Sequence, residues 1–276
     1  MQSLRRMCER PLASAARTGE LVADGIRCRL FAPKGRAPVV LYLHGGGWSL
    51  GSPEECEPFC RVLSVCSGWA VLAPEYRLAP EHPYPAALED VERVARWLRH
   101  HHEELALDAS LLALAGDSAG ANLATASAVR ARDRGEQSYC LQALLCPAVD
   151  LVGTFVSREE FGHGFGLDAE TMAWSSAAYV PDRADRARPD VSPLRAASLA
   201  GLPPAMVATA EHDPLRDEGE AYAARLAEAG IPVVATRHLG TLHFFTDPMR
   251  FDAAYALIDQ LAALLRRLST PAGQQA

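Results

Sequence analysis

Residues 114–123 read LAGDSAGANL, with Ser118 flanked two positions away on each side by Gly116 and Gly120. An apolar run with strand character, LLALA, precedes the serine, and a helix-like run, ANLATASAV, follows it. A serine at a sharp strand-to-helix turn is a nucleophile elbow. The tight turn leaves no room for neighbouring side chains, pushes the hydroxyl into the open and aims the amides of the next helix at the same spot. A serine hydroxyl at its ordinary pKa is a poor nucleophile. It needs a base, and the base needs a carboxylate to orient it. The pentapeptide alone also fits a plain helix start capped by Ser118, so other elements must decide.

The second element is LYLHGGGWSLGS (41–52), three glycines directly after an apolar strand. Acyl transfer develops negative charge on the carbonyl oxygen. Backbone N–H groups must point at that charge, and glycines allow close approach. Gly46 and Gly47 are the expected donors, with the amide of Ala119 as a third. In sites of this kind the order along the chain is serine, acid, histidine. The histidines after Ser118 are His163, His212, His238 and His243. His243, in GTLHFFTDP, is the one expected on the loop after the last strand. AEHDPLRDEGE (210–220) offers two acids, Asp213 and Asp217; Asp213 stands directly after a strand and is preferred. His163, in FGHGFG, is a candidate pocket residue, although a surface loop fits it better.

The elements that must position these residues alternate along the chain. Strands are expected at 25–33, 37–46, 68–77, 111–117, 141–149, 204–212 and 232–239. Helices are expected at 85–105, 121–132, 220–230 and 251–268. Unbroken apolar strands alternating with helices predict an α/β fold, a mostly parallel sheet covered on both faces. Residues about 151–200 break the pattern. They are rich in Gly, Pro and charge, with one helix expected near 168–180, and read as an insertion over one end of the sheet. Ligands of open α/β sheets bind at the carboxyl ends of the strands, so an insertion there acts as a cap. The whole of 1–276 thus reads as one domain, with a small cap at about 151–200 and a short N-terminal cap segment at about 1–24.

The 276 residues are 49% hydrophobic and carry a net charge of −7. No basic stripe is present to neutralise phosphates, which argues against a nucleic-acid partner. No run approaches the roughly 18 apolar residues of a membrane span, and the N-terminus lacks the apolar core of a signal peptide. The seven cysteines are odd in number and irregular in spacing, as expected of reduced thiols in the cytoplasm. Cys140 and Cys146 read as buried small hydrophobes. Cys56 and Cys60 could share a helix face, but no further ligands can be assigned to them. His100, His101 and His102 point in different directions on a helix and read as a solvated helix end. No metal is expected.

Taken together, HGGGW (44–48), EYRLAPEHPYPAALED (75–90), GDSAGANLA (116–124), SPL (192–194), DPLRDEG (213–219) and the late histidine resemble the hormone-sensitive-lipase family of α/β-hydrolases. The match is to its bacterial carboxylesterase branch with GDSAG at the nucleophile, and it runs from about residue 25 to the end. The resemblance implies a triad of Ser118, Asp213 and His243 and an oxyanion hole from Gly46, Gly47 and Ala119. It implies hydrolysis of short- to medium-chain acyl esters, a small-molecule substrate, with no cofactor. There are two departures from the family pattern. Phe244 follows the histidine where glycine is usual, and its ring would narrow a pocket that also includes Trp48. Only about 24 residues precede the first expected strand, so the cap would be smaller and the pocket more open, or covered by a partner in a homodimer. Two other readings stand beside this one: a deacetylase specialised for one acylated metabolite, and a non-catalytic ligand-binding protein on the same scaffold.

Overall fold

The computed structural model describes residues 17–136 and 139–270. Its strands are β1 (Arg17–Ala23), β2 (Ile26–Ala32), β3 (Ala37–Leu43), β4 (Ala70–Pro74), β5 (Leu107–Asp117), β6 (Leu141–Leu145), β7 (Ala205–His212) and β8 (Val233–Leu242). They form one eight-stranded sheet in the order β1-β2-β4-β3-β5-β6-β7-β8. β1, β2 and β4 pair antiparallel; every pair from β4 through β3 to β8 is parallel. This is the mostly parallel α/β sheet that the strand and helix pattern predicts, in the α/β-hydrolase fold that the family resemblance implies.

The helices are α1 (Glu57–Ser67), α2 (Ala86–His101), α3 (Ala119–Asp133), α4 (Val156–Phe161), α5 (Ala169–Tyr179), α6 (Arg216–Glu228) and α7 (Ala253–Ser269). Successive residues of a strand point to opposite faces, and β3 shows the result. Val39, Leu41 and Leu43 pack with Leu88, Val91 and Leu98 of α2, Leu123 of α3 and Leu226 of α6. Val40 and Tyr42 pack on the other face with Phe59 and Leu63 of α1 and Ile258, Leu261 and Leu265 of α7. Both faces are buried, which is why the strand sequence is apolar without alternation. α3 is buried along almost its whole length. Its alanines let it sit close against the sheet, directly behind the elbow.

Three elements were not expected from the sequence. β1 (RTGELVA) is an exposed edge strand, so no apolar run marks it. α1 carries a proline in its first turn and ends at Gly68, held at φ 74°. α4 is only six residues long. The short N-terminal cap segment expected at about 1–24 lies outside the described residues up to position 16, and from Arg17 the chain is already in the sheet. The chain between β6 and β7 carries α4, α5 and two short 3₁₀ turns, Arg183–Ala187 and Pro193–Arg195. Asn122 of α3 anchors it, donating from Nδ2 to Ala148 O at 2.8 Å and to Val191 O at 2.9 Å. Among the described residues, no helix is long and apolar enough to cross a membrane.

Candidate active site

Ser118 sits between β5 and α3 at φ 54° and ψ −117°, a strained conformation for a residue with a Cβ. Its N–H donates to Leu145 O on β6 at 2.8 Å, which helps to hold the turn. The two glycines have separate steric reasons. A Cβ on Gly116 would lie 2.5 Å from the Gly120 carbonyl carbon and 2.6 Å from Leu43 O. A Cβ on Gly120 would lie 1.9 Å from Leu43 O and 2.5 Å from His44 O. The elbow therefore touches the end of β3, the strand that carries the glycine loop.

That loop turns through Gly46 (φ 112°), Gly47 (φ 59°) and Trp48 (φ 58°). Gly46 O accepts from Ser49 N–H at 3.1 Å and Leu50 N–H at 2.9 Å. A Cβ on Gly47 would strike Ser175 Oγ of α5 at 2.5 Å. Among the described residues, no acceptor takes the N–H of Gly46 or Gly47. Asp117 ties loop to elbow, its Oδ1 accepting from Gly45 N–H at 3.1 Å and from Tyr42 Oη–H at 2.9 Å. Burial pushes the Asp117 carboxyl above its usual range, against the opposing hydrogen bond from Tyr42 and the nearby His243.

Asp213 follows β7 directly, and His243 stands just after β8. His243 Nε2 lies 3.0 Å from Ser118 Oγ, and its Nδ1 lies 2.8 Å from Asp213 Oδ2. The other carboxylate oxygen, Oδ1, accepts from Leu215 N–H at 2.9 Å. Burial alone would lower the imidazole pKa. The charge and hydrogen bond of Asp213, with the charges of Asp117 and Glu218, reverse this, and the net shift is upward. Asp217 is used differently: its oxygens accept from Ser157 N–H at 2.8 Å and Arg216 Nε–H at 2.9 Å. Of the two acids, Asp213 is the one that lies against the histidine.

These groups open into a cavity of about 1020 Å³. Gly46, Gly47, Ser118, Ala119, His243, Trp48 and Phe244 all line it. Trp48 is buried and stacks on Tyr179 with centroids 4.5 Å apart. Phe244 is half exposed at the mouth, edge-on to His243 at 5.0 Å. His163 is exposed on the glycine-rich turn between α4 and α5 and is not part of the cavity wall. His212 packs against Phe161 and Phe165, and His238 against Phe245. His100 and His101 turn back onto the Arg96 and Trp97 carbonyls of α2, and His102 Nδ1 lies 3.1 Å from Leu107 O at the start of β5.

Sequence reasoning missed four supports of this site. Tyr42 and Asp117 form the tie just described. His44 stacks on Tyr76 at 4.2 Å, and burial holds its pKa down to about 4, so the ring is neutral. Arg158 of α4 pairs with buried Glu218, whose Oε1 also accepts from the N–H of Val149 and Asp150. Cys146, which read as a packing residue, lies against Asp213. Tyr42, Asp117 and His44 lay inside or beside the two glycine motifs. The Arg158–Glu218 pair spans 60 residues and left no signal.

The family described as having the alpha/beta hydrolase fold matches residues 40–247. A carboxylic ester hydrolase, LipN, of Mycobacterium tuberculosis (strain ATCC 25618 / H37Rv) is 39% identical over 260 residues, covering 89% of this chain and 69% of that protein. An arylesterase of Saccharolobus solfataricus is 38% identical over 241 residues, covering 86% of this chain and 78% of its own. The solved esterase of Pyrobaculum calidifontis superposes with a TM-score of 0.88 at 40% identity, over 98% of this chain and 90% of that one.

Proposed function

This chain belongs to the alpha/beta-hydrolase family and is a carboxylic ester hydrolase, and from that premise we propose that it cleaves short- to medium-chain acyl esters through an acyl-enzyme on Ser118. His243 takes the proton from Ser118 Oγ as the oxygen attacks the ester carbonyl. Asp213 holds the Nδ1–H tautomer and stabilises the imidazolium that forms. The oxyanion develops against the N–H groups of Gly46, Gly47 and Ala119. The alcohol leaves with the proton from His243, and water then repeats the sequence on the acyl-enzyme. The observation that carries this reading is the continuous contact from Ser118 Oγ through His243 to Asp213, at 3.0 and 2.8 Å.

The GDSAG motif supports membership of the carboxylesterase branch of the hormone-sensitive-lipase group. Residues 151–200 are read as the cap, with Trp48 and Phe244 shaping the pocket beneath it. Relatives named as esterases favour this general activity over a single acylated metabolite. None of the six described cysteines is in a disulfide, which supports a reducing, cytoplasmic setting. A homodimer through the exposed edge strand β8, where Leu239 is 74% exposed, is the assembly we propose, and light scattering on the purified chain tests it.

The functional test is turnover of p-nitrophenyl esters from acetyl to dodecanoyl, wild type beside Ser118→Ala. We expect rates that peak at short acyl chains and fall about 10⁴-fold or more in the variant. A Ser118→Ala protein that still turns over at the wild-type rate removes the acyl-enzyme mechanism.

A further inference from the structure

β6 ends at Leu145, and the next residue, Cys146, is held at φ 45°, a conformation that residues with a Cβ rarely adopt. Its N–H donates to Ala208 O on β7 at 2.8 Å. Held this way, the side chain reaches under the elbow to the acid. The Cys146 sulfur, a carboxylate oxygen of Asp213 and a ring nitrogen of His243 all lie within 4.8 Å of one another. Among the described residues, this is the one such group of three metal-ligating side chains. All three residues are buried, while Cys146 and His243 line the cavity, so a small ion entering it meets them.

We propose that Cys146, Asp213 and His243 form a binding site for a borderline-soft divalent cation of the zinc class, and that filling it switches the hydrolase off. Thiolate sulfur, imidazole nitrogen and carboxylate oxygen are the three ligand types such an ion takes, and a fourth position can stay open to the cavity. Thiolate and carboxylate together bring two negative charges against two positive ones. The filled site is therefore neutral overall, which a buried position tolerates far better than a net charge. A cysteine thiol must lose its proton before the sulfur can ligate a metal. Binding displaces that proton to solvent; only metal–ligand bonds form, and nothing is oxidised. With the ion on Nδ1, the neutral ring carries its proton on Nε2, which faces Ser118 Oγ at 3.0 Å. The ring can then donate to the serine but not accept from it. The effect on turnover rests on His243 being the base; the binding itself does not.

A pair of thiols elsewhere must be separated from this site. Cys56 also lines the cavity, with its sulfur 3.7 Å from that of Cys60. The experiment titrates Zn²⁺ against ester turnover by wild type, Cys146→Ser and Cys56→Ser. In parallel, Cd²⁺ is titrated into Ser118→Ala protein with and without Cys146→Ser, reading the ultraviolet thiolate–cadmium absorption. Each inhibition constant is taken relative to that variant's own uninhibited rate, so a change in basal turnover does not enter. We expect inhibition of the wild type that a chelator reverses. It should weaken about 100-fold or more in Cys146→Ser and stay unchanged in Cys56→Ser. Cadmium should bind once per chain, with an absorption that Cys146→Ser removes. Cys146→Ala supplies the same arm should the serine variant not fold. Equal sensitivity of wild type and both Cys146 variants, or relief by Cys56→Ser, overturns the site. Cadmium bound through Cys146 with turnover intact overturns the switch.

Discussion

Replacing Gly120 with alanine sets two effects against each other. Gly120 lies in the first turn of α3, and alanine there gains at most about 1 kcal/mol of helix propensity. Against this, its Cβ would stand 1.9 Å from Leu43 O, whereas real Cβ contacts stay beyond 3.0 Å, so the elbow and the end of β3 must part by about 1.1 Å. Forcing an extra carbon into a packed site costs about 1–3 kcal/mol. The atoms it meets, Leu43 O and His44 O, are backbone and cannot swing aside, so the cost sits at the upper end of that range and the net loss is about 2 kcal/mol, roughly 4–8 °C in melting temperature for a chain of this size. The catalytic effect is larger. The displaced contact joins the serine elbow to the strand carrying Gly46 and Gly47, and a misplacement of about 1 Å costs about 100-fold in rate. Gly19, whose Cβ would meet nothing within 4 Å, is the control. The assay is kcat on p-nitrophenyl acetate beside a circular-dichroism melt for wild type, Gly120→Ala and Gly19→Ala. Gly120→Ala that folds and turns over within about twofold of wild type would refute the argument that this contact sets the site's geometry.

Four further outcomes follow from other contacts around the site. Asp213→Asn should lower kcat by about 10⁴-fold, because the wrong histidine tautomer then faces the serine, whereas Asp217→Asn, which loses only contacts to Ser157 and Arg216, should stay within tenfold, on the order of 1 kcal/mol; kcat for both checks this. The base must be neutral to act, and the His243 pKa is raised, so activity should be lost as pH falls through a value above the ordinary histidine range of about 6.5. Asp117→Asn keeps an acceptor for Tyr42 and Gly45 but removes a nearby negative charge, so it should move that acid limb downward in a kcat/KM profile. Arg158→Ala leaves Glu218 buried without its partner and should cost about 3 kcal/mol, a melting-temperature loss of about 6–12 °C. Adding Glu218→Gln should recover part of that loss.

The central strands and their helices were legible because burial on both faces writes a continuous apolar run, as in PVVLYL and LLALAG. Ser118, Asp213 and His243 were legible because each stands directly after a strand, at the edge where the loops converge. β1 was not legible, since a solvent-facing edge strand needs no apolar pattern. His163, in FGHGFG, reads better as a surface-loop residue than as a pocket residue, and it is exposed; what position in the sequence leaves to tertiary packing is which strand ends meet. The same limit hid Cys146. Its neighbours Asp213 and His243 come from two other strand ends, and only the parallel order β6-β7-β8 brings the three together.

The central claim is that Ser118 is the nucleophile and His243 its base, and intact-mass analysis after treatment with a fluorophosphonate tests it most directly. The account predicts one adduct per chain, mapped to the peptide carrying Ser118, absent from Ser118→Ala and formed far more slowly by His243→Ala. An unlabelled wild type, or an adduct that persists in Ser118→Ala, would contradict it.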